Sequence, residues 1–317
     1  MADQKFAILI PGSATAGFYS QIATISLALK QQRWNLWKPR IYAYLGPRLG
    51  PDSGSLWERW APYLRDVEFA YASEGQFAEM DNWAQCDAMI SMAPRDADVV
   101  LTLDADTLPV QNFESVLDRV FSENLVAGVI AHYPVPPATT PRRDWSEWSS
   151  ELLTKPLEFA FSHSLVCPDE AEERRSTPFY VNAGVIFYAR QAFNSFAPRY
   201  LDYRSKLMAR MEDNGFAGQV AFTLACTECG LSPWSLPMRY NMPNDDLAEK
   251  LHPHEVDHAV IFHYLRTTEF DRQEIFTSRE AYQKFLDMNL TGINRRFQAA
   301  VRQVFGDEFP FPEVLQA

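Results

Sequence analysis

Short apolar runs alternate with helical patterns through the first 130 residues, and this alternation leaves few folds open. Strand-like runs fall at Phe6 to Ile10, Arg40 to Leu45, Val67 to Tyr71, Val99 to Leu103 and Leu125 to Ala131. Between them, helical spacing covers Ser20 to Lys30, Leu56 to Leu64 and Asp81 to Met92, the last with Asp81 or Asn82 as N-cap candidates. Strand–helix alternation predicts an α/β fold with a mostly parallel central sheet covered by helices on both faces. Sheets of that kind bind ligands at the carboxyl ends of their strands. Pro11-Gly12 and the pair Asp104/Asp106 both stand at such ends, so one cleft can join them despite their separation in sequence.

Asp104 and Asp106 follow a buried-strand pattern directly, in VVLTLDADTLP. In an extended chain they point to the same side, about 6.6 Å apart. Two carboxylates that close repel unless positive charge sits between them. The formal net charge of the chain is −12 and its pI is near 5.0. With no basic tract, it lacks the footprint of a nucleic-acid binder. An acidic chain that handles an anionic substrate needs local positive charge, from a few Arg or Lys or from a bound cation.

The remaining organisation is less regular. Pro134 to Pro141 is a proline-rich connection, Asp144 to Phe161 is expected as an amphipathic helix carrying Trp145 and Trp148, and Glu170 to Arg175 as a solvated loop. Phe179 to Tyr188 returns to strand character. Helical patterns follow near Gln191 to Met211 and Gly215 to Cys229, then a strand at Ala259 to Phe262 and helices near Ser278 to Met288 and Ile293 to Val304. Cys226 and Cys229 form C-x-x-C inside a helical pattern without further zinc ligands, which reads as buried thiols. No basic-plus-apolar leader and no membrane-length apolar run is present, so the expected setting is cytoplasmic, with no membrane span.

Three segments stand in order: LTLDADTL, FYVNAGVIFY and AVIFHYLR, with AGQVAFTLA and LPMRYNMP between the last two. This order resembles the GT-A nucleotide-sugar glycosyltransferases, most closely the family 8 enzymes of the glycogenin and lipopolysaccharide galactosyltransferase type. The resemblance spans roughly Phe6 to Arg266 and implies a GT-A-like domain over residues 1–270. The segment 134–177 would be an insertion and possible acceptor region, and 271–317 a C-terminal helical extension.

The resemblance implies a metal-dependent hexosyltransferase using a nucleoside-diphosphate sugar, UDP-linked by preference, and a hydroxyl-bearing acceptor, with retention at the anomeric carbon. Asp104, Asp106 and His263 would hold Mn²⁺ or Mg²⁺, the imidazole favouring Mn²⁺. That cation would also relieve the repulsion between the aspartates. Pro11, Gly12 and Ser13 would contact base and ribose, with Asp104 also touching the ribose. Asn182 and Gly184 would border the donor sugar or the acceptor, and Gln219 would sit near the anomeric carbon; Asn182 and Gln219 are thus the candidate catalytic residues. The family has an Arg where Asp87 stands, an Asp where Gly218 stands, and a Lys where Glu269 stands. Arg266, or else Arg272, is the expected replacement cation at the diphosphate.

Rival readings fit less well. A haloacid dehalogenase-type phosphatase needs Thr or Val two residues after the second Asp, where Leu108 stands. A sugar-1-phosphate nucleotidyltransferase needs a basic Gly-rich loop, and PGSATAGFYSQ has no basic residue. A glycosidase needs carboxylates on two sides of its substrate. The remaining alternative is a non-catalytic sugar- or partner-binding relative of the same fold.

Overall fold

In the computed structural model the described residues are 4–48, 53–73, 84–135, 141–211 and 214–312. The first half runs β1 (Gln4–Gly12), α1 (Ala16–Gln31), β2 (Trp37–Leu45), α2 (Ser53–Trp60), β3 (Val67–Tyr71), α3 (Ala84–Ser91), β4 (Val99–Leu103), β5 (Thr107–Pro109), α4 (Glu114–Glu123) and β6 (Leu125–Ile130). The second half runs α5 (Pro141–Leu152), β7 (Phe161–Ser162), α6 (Glu172–Arg175), β8 (Ser176–Thr177), β9 (Val181–Ala189), α7 (Arg190–Met208), α8 (Ala217–Cys229) and β10 (Ser232–Ser235). It ends with β11 (Met242–Pro243), α9 (Asp246–Leu251), α10 (Pro253–Asp257), β12 (Ile261–His263), α11 (Arg279–Asp287) and α12 (Gly292–Phe305).

Among the described residues the main sheet has the order β10-β6-β9-β4-β1-β2-β3. Its pairings are parallel except at β9, which runs antiparallel to both β4 and β6. The mostly parallel α/β sheet expected from the alternation is therefore present. Its central strands read as continuous apolar runs because helices cover both faces: every residue of β4 and β6 is buried.

The reversed strand matters for the site. Because β9 enters where β4 leaves, Leu103 pairs with Val185, and the start of β9 (Val181 to Gly184) lies at the carboxyl edge beside Asp104. A three-stranded sheet, β11-β12-β5, continues from that edge and sets His263 opposite Thr107.

The middle departs from the expected pattern. The helix expected to reach Phe161 ends at Leu152. Pro156 explains the stop, since the residue before a proline is pushed out of the helical region. Thr154 instead gives its backbone N–H and hydroxyl to Glu228 on α8, at 2.8 and 2.7 Å. Trp145 is buried edge-on against Tyr180 and is a packing residue. Glu170 to Arg175, expected as a loop, contains the single turn α6. The N-cap candidates Asp81 and Asn82, and most of the Pro134 to Pro141 connection, lie outside the described residues.

Among the described residues beyond 270, α11 and α12 pack against the body of the molecule. Phe297 of α12 stacks on Tyr264, next to His263, with ring centroids 4.7 Å apart. No described helix is long and apolar enough to cross a membrane.

Candidate functional site

A cleft of about 850 Å³ opens at the carboxyl edge of β1 and β4. Its lining includes Pro11, Gly12, Ser13, Asp104, Asp106, Asn182, Gly184, Gln219 and His263. Nine of the ten site residues expected from sequence thus share one cavity. Arg266 is the exception. Its guanidinium lies 3.1 Å from Asp245, away from the cleft lining, while Arg272 reaches into the cleft. Glu269, at the family's Lys spacing, accepts a hydrogen bond from Asn294 of α12.

Residues 104–106 form a turn rather than continuing the strand. It is tied at three points: the Asp104 N–H donates to the Gly184 carbonyl (2.9 Å), the Thr107 hydroxyl to the Asp104 carbonyl (2.7 Å), and the Tyr264 N–H to the Asp106 carbonyl (3.0 Å). The turn draws the carboxylates together and aims them at His263. His263 Nε2 lies 3.4 Å from Asp106 Oδ1 and 3.7 Å from Asp104 Oδ2, and one ligand atom from each of the three lies within 4.8 Å of the others.

The tautomer of His263 follows from a relay that starts at a backbone amide. The Gly184 N–H can only donate, so the Asn182 oxygen that it meets at 2.9 Å is the acceptor Oδ1. The same oxygen accepts from Asn241 Nδ2 at 3.1 Å, which leaves Asn241 Oδ1 to accept from His263 Nδ1–H at 2.9 Å. Nδ1 thereby carries a proton, and Nε2 faces the carboxylates, as a donor to them when protonated and as the nitrogen a metal ion would take when not. Metal-binding histidines are oriented by such outer partners. The ring also needs Gly184: a Cβ there would stand 2.5 Å from Nδ1. Asn182 and Gly184 therefore build the imidazole's seat as well as bordering the cleft.

Charge in the cluster is balanced by cations of the chain itself. The Arg272 guanidinium bonds Asp106 Oδ2 and the Leu265 carbonyl. Burial pushes the Asp104 carboxyl up to about 6, partly offset by His263 and reinforced by Asp106. Burial also acts to raise Asp106, but His263 and Arg272 outweigh it and hold this carboxyl below its usual range. Burial opposes charge on His263, yet Asp106 and Asp104 outweigh it, so the imidazole is raised. Two hard oxygens and one imidazole nitrogen around a small gap fit a divalent ion of the Mn²⁺ class.

The opposite wall explains two departures from the family pattern. Asp87 on α3 forms an ion pair with Arg204 on α7, their side chains only 16% and 8% exposed, and Arg204 lines the cleft. A Cβ at residue 218 would lie 3.2 Å from the Tyr200 hydroxyl and 3.9 Å from Arg204 Nε. The wall beside Gln219 therefore carries the Arg204 guanidinium, held from behind by Asp87. A buried ion pair is weak evidence for stability, because desolvation offsets its attraction.

Sequence reading missed Asn241 and Arg204, and left Arg266 and Arg272 as alternatives. Asn241 sits in LPMRYNMP, which was noted as a segment; its lack of any exposed surface could not be seen there. The back wall is closed by the last elements to be made. The Gln21 amide of α1 donates to the Arg272 carbonyl at 3.1 Å and so seats the arginine's backbone.

Residues 88–230 match the Rhodobacterales glycosyltransferase domain, so the chain carries a glycosyltransferase domain. It is similar in fold to the galactosyltransferase LgtC in complex with donor and acceptor sugar analogues, at 12% identity and TM-score 0.53, over 94% of this chain and 95% of that one. It is also similar to the bifunctional glycosyltransferase WbbM, at 12% identity and TM-score 0.51, over 97% of this chain and 52% of that one. Mouse xyloside xylosyltransferase 1 matches at 12% identity and TM-score 0.47, over 85% of this chain and 99% of that one. At such identities the solved structures establish a GT-A fold. No curated protein matches the sequence.

Proposed function

We propose that this chain is a metal-dependent transferase that moves a hexose from UDP-hexose to a hydroxyl acceptor with retention of configuration. The observation that carries the proposal is the meeting of Asp104, Asp106 and His263 Nε2 at the strand-end cleft. Held by these three groups, a divalent ion supplies Lewis-acid stabilisation of the charge that develops on a departing diphosphate.

The chain's own residues do the rest. Pro11, Gly12 and Ser13 line the end of β1 where base and ribose are held, with Asp104 beside the ribose. Arg272 takes the role expected of Arg266, as the guanidinium for the phosphates. Arg204, held by Asp87, orients sugar hydroxyls, and the Gln219 amide lies beside the anomeric carbon. Retention is favoured by what the wall offers: among the described lining residues the carboxylates are Asp104 and Asp106. Both belong to the metal cluster, so neither is a free general base for direct inversion.

The test is a thermal melt with UDP, GDP or ADP, each with and without Mn²⁺, followed by NMR of the transfer product. Binding to the folded state stabilises by about 2.7 kcal/mol at a hundredfold excess over Kd. A shift with UDP that needs Mn²⁺, and a product with the donor's anomeric configuration, is the expected result. No shift with any nucleotide, or equal shifts after chelation, overturns the metal-dependent reading. Binding without turnover points to the non-catalytic relative.

A further inference from the structure

A second cavity, of about 410 Å³, lies at the carboxyl end of β6. That volume suits a small saccharide. The two cavities share one edge of the sheet: β4 and β6 both run antiparallel to β9, which lies between them, so their carboxyl ends are neighbours. Ile130 lines the second cavity, and its strand partner Val181 lines the first.

The wall of this cavity is tightly built. His163 N–H donates to the Arg175 carbonyl at 2.9 Å, Ser164 N–H to the Ala131 carbonyl at 3.2 Å and Leu165 N–H to the His132 carbonyl at 3.0 Å. These bonds lace residues 163–165 onto the end of β6. His163 is 4% exposed, and its Nδ1 lies 3.1 Å from the Ala131 carbonyl. A carbonyl only accepts, so the proton is on Nδ1 and Nε2 carries a lone pair. That Nε2 is buried with no partner among the described residues, on a ring that lines the cavity.

Arg175 lines the same cavity, and its Nε is likewise buried without a partner. The guanidinium has no carboxylate partner among the described residues, whereas its neighbour Arg174 pairs with Glu170 at 3.2 Å. The carboxylate in the lining, Glu255, is already engaged by the Arg239 backbone N–H at 3.3 Å and its guanidinium at 3.7 Å. Ser162, Ser235, Ser164 and His252 also line the cavity; the Ser164 hydroxyl donates to the Ile130 carbonyl, and His252 Nε2 lies against the Ser164 carbonyl. A buried donor and a buried acceptor left unmade are costly, and one bound molecule that offers both an acidic group and a hydroxyl satisfies the pair.

We propose that this second cavity binds the acidic group of an anionic saccharide, with Arg175 gripping its phosphate or carboxylate and His163 Nε2 accepting a hydroxyl from the same molecule. Resting on the transferase reading, the molecule is an acceptor whose acidic group is held here while its reacting hydroxyl extends to the first cleft. The neutral imidazole suits this division of labour. Burial lowers His163 to about 4, so it accepts a hydroxyl proton at neutral pH and adds no charge of its own.

The experiment uses the full chain without any donor. Binding of inorganic phosphate, glucose 6-phosphate, glucuronate and glucose is measured by calorimetry, and UDP with Mn²⁺ is titrated on the same samples. The expected order has both acidic sugars tighter than phosphate or glucose, with no displacement by UDP and Mn²⁺. Arg175→Gln weakens the acidic sugars at least tenfold, Arg174→Gln leaves them unchanged, and His163→Asn weakens the sugars but not phosphate. Absence of saturable binding, equal loss in both arginine variants, or displacement by UDP overturns the proposal. If the sugars bind and UDP does not, the second site stands and the transferase reading falls. If UDP binds and the sugars do not, the reverse holds.

Discussion

Asn241 accepts a hydrogen bond from the proton-bearing nitrogen of His263 and does not itself line the cleft, so its replacement tests the relay. In Asn241→Ala, His263 Nδ1–H loses its acceptor at 2.9 Å and Asn182 loses one of its two donors. A buried donor left unmade costs about 1–3 kcal/mol. For a chain of 317 residues, an unfolding entropy of ~2.1 cal/mol/K per residue turns 2–3 kcal/mol into a melt lowered by about 3–5 °C. Outer partners of metal-bound histidines are worth about 10–100-fold in metal affinity. Affinity for Mn²⁺ in the presence of UDP should therefore fall by about 1.4–2.7 kcal/mol. Calorimetric titration of Mn²⁺ reads this directly. Asn241→Asp separates the two bonds: its carboxylate still accepts from Nδ1–H but cannot donate to Asn182 Oδ1, so Mn²⁺ affinity should fall less than in Asn241→Ala although the melt still drops. If Asn241→Ala binds Mn²⁺ as wild type does while its melt drops, Asn241 only fills space and the relay argument is wrong.

Gly184→Ala drives a methyl into the His263 ring; the fold should persist at a cost of about 1–3 kcal/mol, while Mn²⁺-dependent stabilisation by UDP disappears, as a melt with and without the metal will tell. Asp87→Leu alone strands the Arg204 guanidinium and should cost about 3–5 kcal/mol. The double variant Asp87→Leu/Arg204→Met should restore the melt to within about 1 kcal/mol of wild type yet reduce turnover at least tenfold; unchanged turnover would make the pair purely architectural. Glu114 gathers the backbone N–H groups of Asn35, Leu36 and Trp37 at 2.6, 3.0 and 3.3 Å. Burial opposes its ionisation, but these bonds hold the carboxyl below its usual value. Its stabilisation is therefore complete above the unfolded-chain pKa of about 4.3 and is lost as pH falls through the lower folded value. Glu114→Gln should cost about 1–2 kcal/mol at pH 7 and nothing below the folded pKa; denaturant melts across pH 2 to 7 that stay parallel would contradict this.

How legible the molecule was depends on how local each cause is. β4 matches its expected limits because a fully buried strand needs apolar residues throughout and a turn signal at each end; β3 matches as an edge strand, with Val67 buried and Glu68 exposed. The pairing of carboxylates after β4 is equally local. The orientation of His263 is not: it depends on Asn182 and Asn241, residues whose amides are ordinary until the fold brings them together. Asp87 looked like a lost function because its partner Arg204 lies 117 positions away. Arg266 and Arg272 could not be separated by spacing either; what separates them is Asp245, which holds one of them outside the cleft. Arg175 looked solvated beside Arg174, and only the lacing of residues 163–165 onto β6 encloses it.

The pairing of β12 with β5 has a consequence for synthesis. A ribosome delivers Asp104 and Asp106 long before His263, and domains fold in the order in which they emerge. Much of the main sheet can assemble while its two aspartates still lack their imidazole and Arg272. The nascent chain thus passes through a stage with its core largely built and its anionic pair exposed, unable to take up a nucleotide sugar. On the proposed reading, donor capture would certify that translation has passed residue 272, and a chain stopped before that point should be silent.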